Sequence, residues 1–193
     1  MDLYFKKLLT ALITILFAGG AYASQIRVLA GPKVESISKL TQTRSRSNPT
    51  ALIVEFDTKM YQNLFLSIGA SGEFDIGTQS SNGFALYGSA RYYFKGNPDL
   101  IKSAGNDIKM QLVEPWSYFA GLGLFQKSIR FSDSNDLRDI NEDVGGLVVS
   151  GGGNYSLTEH YFLSGYLAYL LSGPGTDLDY SSVELYLGVG VRF

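Results

Sequence analysis

Downstream of residue 23, apolar and polar side chains alternate with a period of two through eight stretches of the chain. The last stretch, residues 182–193, is the clearest. Val183, Leu185, Leu187, Val189, Val191 and Phe193 share one face, and Ser182, Glu184, Tyr186, Gly188, Gly190 and Arg192 the other. Successive side chains of a strand point to opposite faces, so this strand has one apolar face and one polar or small face. With the pattern ending on an aromatic residue of the apolar face, that face is expected to be covered by lipid or a second sheet. The pattern predicts an all-β chain: a membrane-spanning, antiparallel, up-and-down β-barrel.

Taken in order, strand one covers residues 25–31, with Ile26, Val28 and Ala30 outward and Arg27 inward. Residues 32–49, rich in Ser, Thr, Lys and Arg, read as a long polar loop that extends the flanking strands at its ends. Strand two covers 50–58, with Leu52, Val54 and Phe56 outward and Glu55 and Asp57 inward, and 59–63 form a short turn. Strand three, 64–76, alternates Leu64, Leu66, Ile68 and Ala70 with Ser67, Gly69, Ser71, Glu73 and Asp75; 77–82 is a turn. Strand four, 83–95, places Phe84, Leu86, Ala90, Tyr92 and Phe94 outward and Tyr87, Ser89, Arg91 and Tyr93 inward. Strand five runs over 115–131, and its pattern blurs after Phe125, where a bulge is expected. Strand six covers 144–157, strand seven 160–171 and strand eight 182–193. The connections are an acidic loop at 132–143, a tight turn at Thr158-Glu159 and a Gly/Pro/Asp loop at 172–180.

Eight is an even number, as closed antiparallel barrels require, and the strands approach the roughly 9–11 residues that a tilted spanning strand needs. Closure removes strand edges that lipid would not tolerate. With both termini on the periplasmic side, the periplasmic strand ends carry Phe56, Tyr61, Tyr92, Phe94, Trp116, Tyr118, Tyr155, Tyr161 and Phe193. These residues make an interfacial aromatic girdle. The connection 96–114 is the exception to short periplasmic turns.

Composition adds a targeting segment and removes several classes. Lys6 and Lys7 precede an apolar run, 8–18, and Ala21-Tyr22-Ala23 forms an A-x-A cleavage site, so 1–23 read as a signal peptide cleaved between Ala23 and Ser24. The barrel domain is then 24–193. The apolar run is short of the roughly 20 residues of a spanning helix. The chain has no cysteine, which excludes disulfides and a lipoprotein anchor. Without the leader, 14 basic and 17 acidic residues remain, a balance that argues against nucleic acid as a partner.

Three stretches resemble the small eight-stranded outer-membrane barrels of the OmpA-transmembrane, OmpX and opacity-protein type. They are Ala90-Arg91-Tyr92-Tyr93-Phe94, the run from Pro115-Trp116 to Gly123, and Gly188-Val189-Gly190-Val191-Arg192-Phe193. The last is similar to the carboxy-terminal signal read by the barrel-assembly machinery, carried here by Val189, Val191 and Phe193. The resemblance implies the outer membrane of a Gram-negative bacterium, contact with its lipid and lipopolysaccharide, and handling by periplasmic chaperones during biogenesis. It implies no single function, because the group mixes adhesins, structural barrels and a few enzymes.

The inward charges, Arg27, Glu55, Asp57, Glu73, Asp75, Arg91, Lys127, Glu184 and Arg192, carry both signs. Buried charges must be paired or hydrated. In a narrow barrel the first reading is an ion-paired plug, and the second a thin aqueous path. His160, the sole histidine, sits at the 158–159 turn on the periplasmic side, and no motif joins it to Ser156 or Glu159 as a catalytic set. The basic residues Lys33, Lys39, Arg44 and Arg46 read as a solvated loop able to meet phosphate groups. The acidic loop, with Asp133, Asp136, Asp139, Glu142 and Asp143, lacks the offsets of a calcium site. Gly151-Gly152-Gly153 has no following lysine or helix and reads as relieving crowding or bending strand six rather than cradling phosphate. No cofactor and no metal are expected. A non-enzymatic barrel with a structural or surface-interaction role comes first, a narrow channel second, and a lipid A- or phospholipid-modifying enzyme third.

Overall fold

A computed structural model describes residues 24–39, 42–74, 83–96, 114–131, 140–173 and 178–193. Eight strands form one closed barrel: β1 (Ser24–Lys39), β2 (Gln42–Tyr61), β3 (Leu64–Phe74), β4 (Gly83–Lys95), β5 (Trp116–Phe131), β6 (Ile140–Ser156), β7 (Tyr161–Ser172) and β8 (Asp179–Arg192). Each strand pairs antiparallel with its chain neighbours, and β1 pairs with β8, Gln25 opposite Arg192 and Val28 opposite Val189, so no edge is left. The first residue of β1 and the last of β8 meet at one end, called here the terminus end; the other is the loop end.

Side-chain parity follows the alternation in the sequence. Val28, Leu52, Leu122, Leu147, Leu167, Leu185 and Leu187 stand on the outside, with Leu122 60% and Leu187 65% exposed. So broad an apolar exterior has no place in water and is the lipid-facing band of a membrane-spanning barrel. At the terminus end Phe94, Trp116, Tyr155 and Tyr161 also face outward. There Trp116 and Tyr155 lie 4.7 Å apart between ring centroids, with Tyr118 beside Trp116 at 6.2 Å.

Several expectations need correction at the loop end. The 32–49 stretch is mostly strand: β1 and β2 continue as a tall hairpin in which Glu35 pairs with Arg46 and Lys39 with Gln42. A bulge interrupts this hairpin. Pro32 opposes Thr50 and Val34 opposes Ser47, so Lys33 alone faces Asn48 and Pro49. Pro49 has no N–H to give to the ladder, which is why the register breaks there. No bulge follows Phe125, because β5 pairs without interruption from Gly83↔Ile129 to Tyr93↔Phe119 on one side and along all of β6 on the other. The blur in the pattern has another cause. Phe125 and Ile129 point inward and Gln126 and Ser128 outward, so the polarity of the two faces reverses where β5 rises out of the apolar band.

Strand β2 also runs on to Tyr61, leaving Gln62 and Asn63 as the turn, with a register shift between Lys59 and Tyr61. Strand β6 starts at Ile140, which moves Glu142 and Asp143 from the acidic loop into strand. The leader 1–23, Asp75, most of the 96–114 connection, and Asp133, Asp136 and Asp139 lie outside the described residues.

Candidate functional site: the charged lumen

The interior of the barrel holds five buried cationic side chains, Arg27, Lys33, Arg91, Lys127 and Arg192, and five buried carboxylates, Glu35, Glu55, Asp57, Glu73 and Glu184, among the described residues. Period-two geometry puts them there: each occupies the inward parity of its strand. Charges in a low-dielectric interior need partners, and the lumen supplies them in two groups.

Near the terminus end, Arg27 pairs with Asp57, and Arg91 reaches Asp57 at 3.3 Å and Glu55 at 2.7 Å. This makes a chain of alternating sign, Arg27–Asp57–Arg91–Glu55, drawn from β1, β2 and β4. Neutral groups complete it. Arg27 donates to the Tyr93 hydroxyl at 2.5 Å, Asn154 donates to the same oxygen at 3.1 Å, and the Tyr166 hydroxyl donates to Glu55 at 2.7 Å from β7. The guanidinium of Arg91 lies 5.0 Å from the Phe119 ring centroid and 5.1 Å from that of Tyr166. Aromatic faces thus supply part of the solvation that water would otherwise give.

Toward the loop end, Lys33 and Lys127 alternate with Glu35 and Glu73 in a closed ring of four charges. Lys33 pairs with Glu73 and lies 3.0 Å from Glu35, and Lys127 lies 2.7 Å from each of the two carboxylates. The Tyr180 hydroxyl, from β8, joins the ring at Lys127 and Glu35. Above it Ile37, Phe125, Ile129, Val144 and Tyr180 form an apolar cap inside the barrel.

Glu184 and Arg192 belong to neither group. Glu184 accepts from the Ser182 hydroxyl at 3.0 Å and the Tyr186 hydroxyl at 2.6 Å, and has no ion pair among the described residues. Arg192, at the terminus mouth, bonds to Ser156 Oγ at 2.9 Å and to the Glu159 carbonyl at 3.4 Å and packs against the Phe162 ring. Gly190 makes the room: a β-carbon on it would overlap the Phe162 ring.

Of the inward residues expected from sequence, Arg27, Glu55, Asp57, Glu73, Arg91, Lys127, Glu184 and Arg192 are all buried in the lumen. Sequence reasoning missed Lys33 and Glu35. Lys33 is a correction to the solvated basic loop, since it is 1% exposed and ion-paired. The signal was available: Lys33, Glu35 and Ile37 continue the inward parity of Arg27 and Leu29. The side chains of Lys39, Arg44 and Arg46 lie outside the described residues.

His160 is exposed in the turn between β6 and β7. Its N–H and that of Tyr161 donate to Thr158 Oγ1, and its carbonyl accepts from Arg192 N. Ser156 Oγ is engaged by Arg192 and by the Glu114 carbonyl rather than by the imidazole. In the glycine run, β6 pairs without a register shift. Gly152 lets β6 and β7 close together, because a β-carbon there would overlap the Gly165 carbonyl and Tyr166. Ser24 is the first residue of β1, Val189 is exposed on the outside of β8, and Phe193, directly after β8, is exposed.

Between the ion-pair groups lies a cavity of about 20 Å³ lined by Ile53, Glu55, Arg91, Val148, Tyr166 and Glu184, among others. That is room for about one water molecule.

No protein-family model and no curated protein matches the chain in sequence. Solved structures do match it in shape. Neisserial surface protein A is similar at 16% identity and a TM-score of 0.60, over 89% of this chain and 99% of that one. The N-terminal β-barrel domain of OprF from Pseudomonas aeruginosa is similar at 14% identity and a TM-score of 0.58, over 89% and 97%. Ail, the attachment invasion locus protein of Yersinia pestis, is similar at 12% identity and a TM-score of 0.52, over 88% and 99%. With its closed order of eight strands and its apolar exterior, the chain has the fold of the small eight-stranded outer-membrane β-barrels.

Proposed function

We propose that this protein is a non-enzymatic outer-membrane barrel of a Gram-negative bacterium that stabilises the membrane or presents its loop end for surface interaction. The observation that carries this reading is the filled lumen. Four cations and four carboxylates pair across it, buried aromatic and aliphatic side chains pack between them, and a cavity among them holds about 20 Å³. A barrel closed in this way works through its two ends and its exterior. The likeness in fold to a protein described as an attachment invasion locus product favours the loop end as the working surface. The exterior meets outer-membrane lipid and lipopolysaccharide, and Val189, Val191 and Phe193 engage the barrel-assembly machinery after passage by periplasmic chaperones.

The test is single-channel recording on the refolded 24–193 barrel in a planar bilayer, with folding verified by the gel mobility of unboiled against boiled samples. A folded barrel without conductance steps is expected. A second reading, a narrow channel for small solutes, draws on the charged side chains that recur along the lumen, from Arg192 through Arg27 and Arg91 to Lys127. Reproducible steps would place that reading first, since the ion pairs would then be separating to admit water.

A further inference from the structure

We infer that the mid-lumen cavity is a specific site for one buried water molecule, which links the terminus-end chain of ion pairs to Glu184. Three needs converge on this space. Glu55 is 3% exposed and commits Oε1 to Arg91 and Tyr166, while its Oε2 is buried with no hydrogen-bond partner among the described residues. Arg91 is 2% exposed and commits Nη1 and Nη2 to Asp57 and Glu55, while its Nε is buried with none. Both residues line the cavity.

Glu184 lines it from the opposite side, held by the Ser182 and Tyr186 hydroxyls and without an ion pair among the described residues. Arg192 cannot compensate it: eight residues along one strand place them about 26 Å apart. Lys33, opposite Glu184 in the β1–β8 register, is engaged by Glu35 and Glu73.

A water accepts one hydrogen bond from Arg91 Nε and donates to Glu55 Oε2, and its second proton is free to solvate Glu184. A buried water characteristically makes about three such bonds. The cavity volume admits one, and the orphaned donor and acceptor define its chemistry. A metal cation in the same space would leave the Arg91 N–H without an acceptor. The site extends the plug and is independent of which end of the barrel is functional.

The direct test is a high-resolution crystal structure of the refolded, unaltered barrel. A single density peak within hydrogen-bond distance of Arg91 Nε and Glu55 Oε2 is expected, and an empty cavity would overturn the proposal. Peak coordination shorter than a hydrogen bond, without contact to Arg91, would overturn it in favour of a cation. A second test uses Ala168, which lines the cavity without contributing a polar side chain. Ala168→Val fills the space and is expected to lower the urea midpoint, whereas Ala168→Ser, whose hydroxyl can replace the water, leaves it near the parent value. If valine instead raises the midpoint, the cavity is dry and the inference fails. Conductance would refute the plug without touching this result, which is read from density and unfolding.

Discussion

Lys127 Nζ lies 2.7 Å from Glu35 Oε2, a contact that straps β5 to β1 across the lumen between residues 92 positions apart in the chain. In an eight-stranded barrel these strands face each other, so the strap ties opposite walls that share no backbone hydrogen bond. Removing one member of a buried pair strands the rest. Lys127→Met should remove one of the two ring cations that Glu35 and Glu73 share and cost about 3–5 kcal/mol. The measurement is the urea unfolding midpoint in lipid vesicles. Glu35→Gln should be damaging by itself, and the double variant should lose less than the two single losses added, since the partners belong to one ring. Strict additivity would show that the ring does not act as a unit.

The chain has one tryptophan, Trp116, half-exposed in the outward cluster with Tyr118 and Tyr155. Its place at a strand end puts the indole at the membrane interface. In vesicles containing brominated lipids, its fluorescence should be quenched more strongly by bromines near the headgroup than by bromines near the chain ends. The reverse order would move the apolar band along the barrel and undo the girdle assignment.

Glycines on the two faces should respond differently. A β-carbon on Gly123 would overlap the Gly88 carbonyl and Ser89, where β4 and β5 run close together. On Gly151 it meets only the Phe119 carbonyl, at 3.8 Å. Gly123→Ala should therefore lower the fraction of heat-modifiable, folded barrel seen on gels, and Gly151→Ala should leave it unchanged. Equal behaviour would mean that the strands have more freedom to move apart than the close approach implies.

At the β6–β7 turn, Thr158 Oγ1 accepts hydrogen bonds from the N–H groups of both His160 and Tyr161. Thr158→Val should cost about 1 kcal/mol of stability. His160→Ala should stay within about 0.5 kcal/mol of the parent, as expected for an exposed side chain. Any lipid-hydrolysing activity abolished by His160→Ala would give the imidazole a chemical role and displace the non-enzymatic reading.

How far the sequence could be read depended on where a residue sits along the barrel axis. Within the apolar band, the contrast between Leu185, Leu187 and Val189 outside and Glu184, Tyr186 and Gly188 inside made parity visible. Beyond the band, Ser36 and Ser38 face outward while Ile37 is buried, so the alternation reverses and resembles a loop. Lys33 and Glu35 were lost for that reason. Pro32 and Pro49 added to it, because a proline interrupts a strand signal even where, as here, it marks a bulge in a hairpin that continues.

The sequence by itself determined the number of strands, the parity of their faces and the aromatic ring at the terminus end. These follow from the backbone pleat and from the two environments it separates, and both are local properties of the chain. Only the tertiary structure decided which charge meets which. Lys127 with Glu35, Tyr166 with Glu55 and Arg27 with Tyr93 join strands that are not neighbours in the sheet. Their meeting depends on how closure and strand tilt set the height of each side chain in the lumen. Among the described residues the tertiary structure also gave Glu184 hydroxyl partners rather than a cation, the lysine opposite it being drawn into the ring with Glu35 and Glu73.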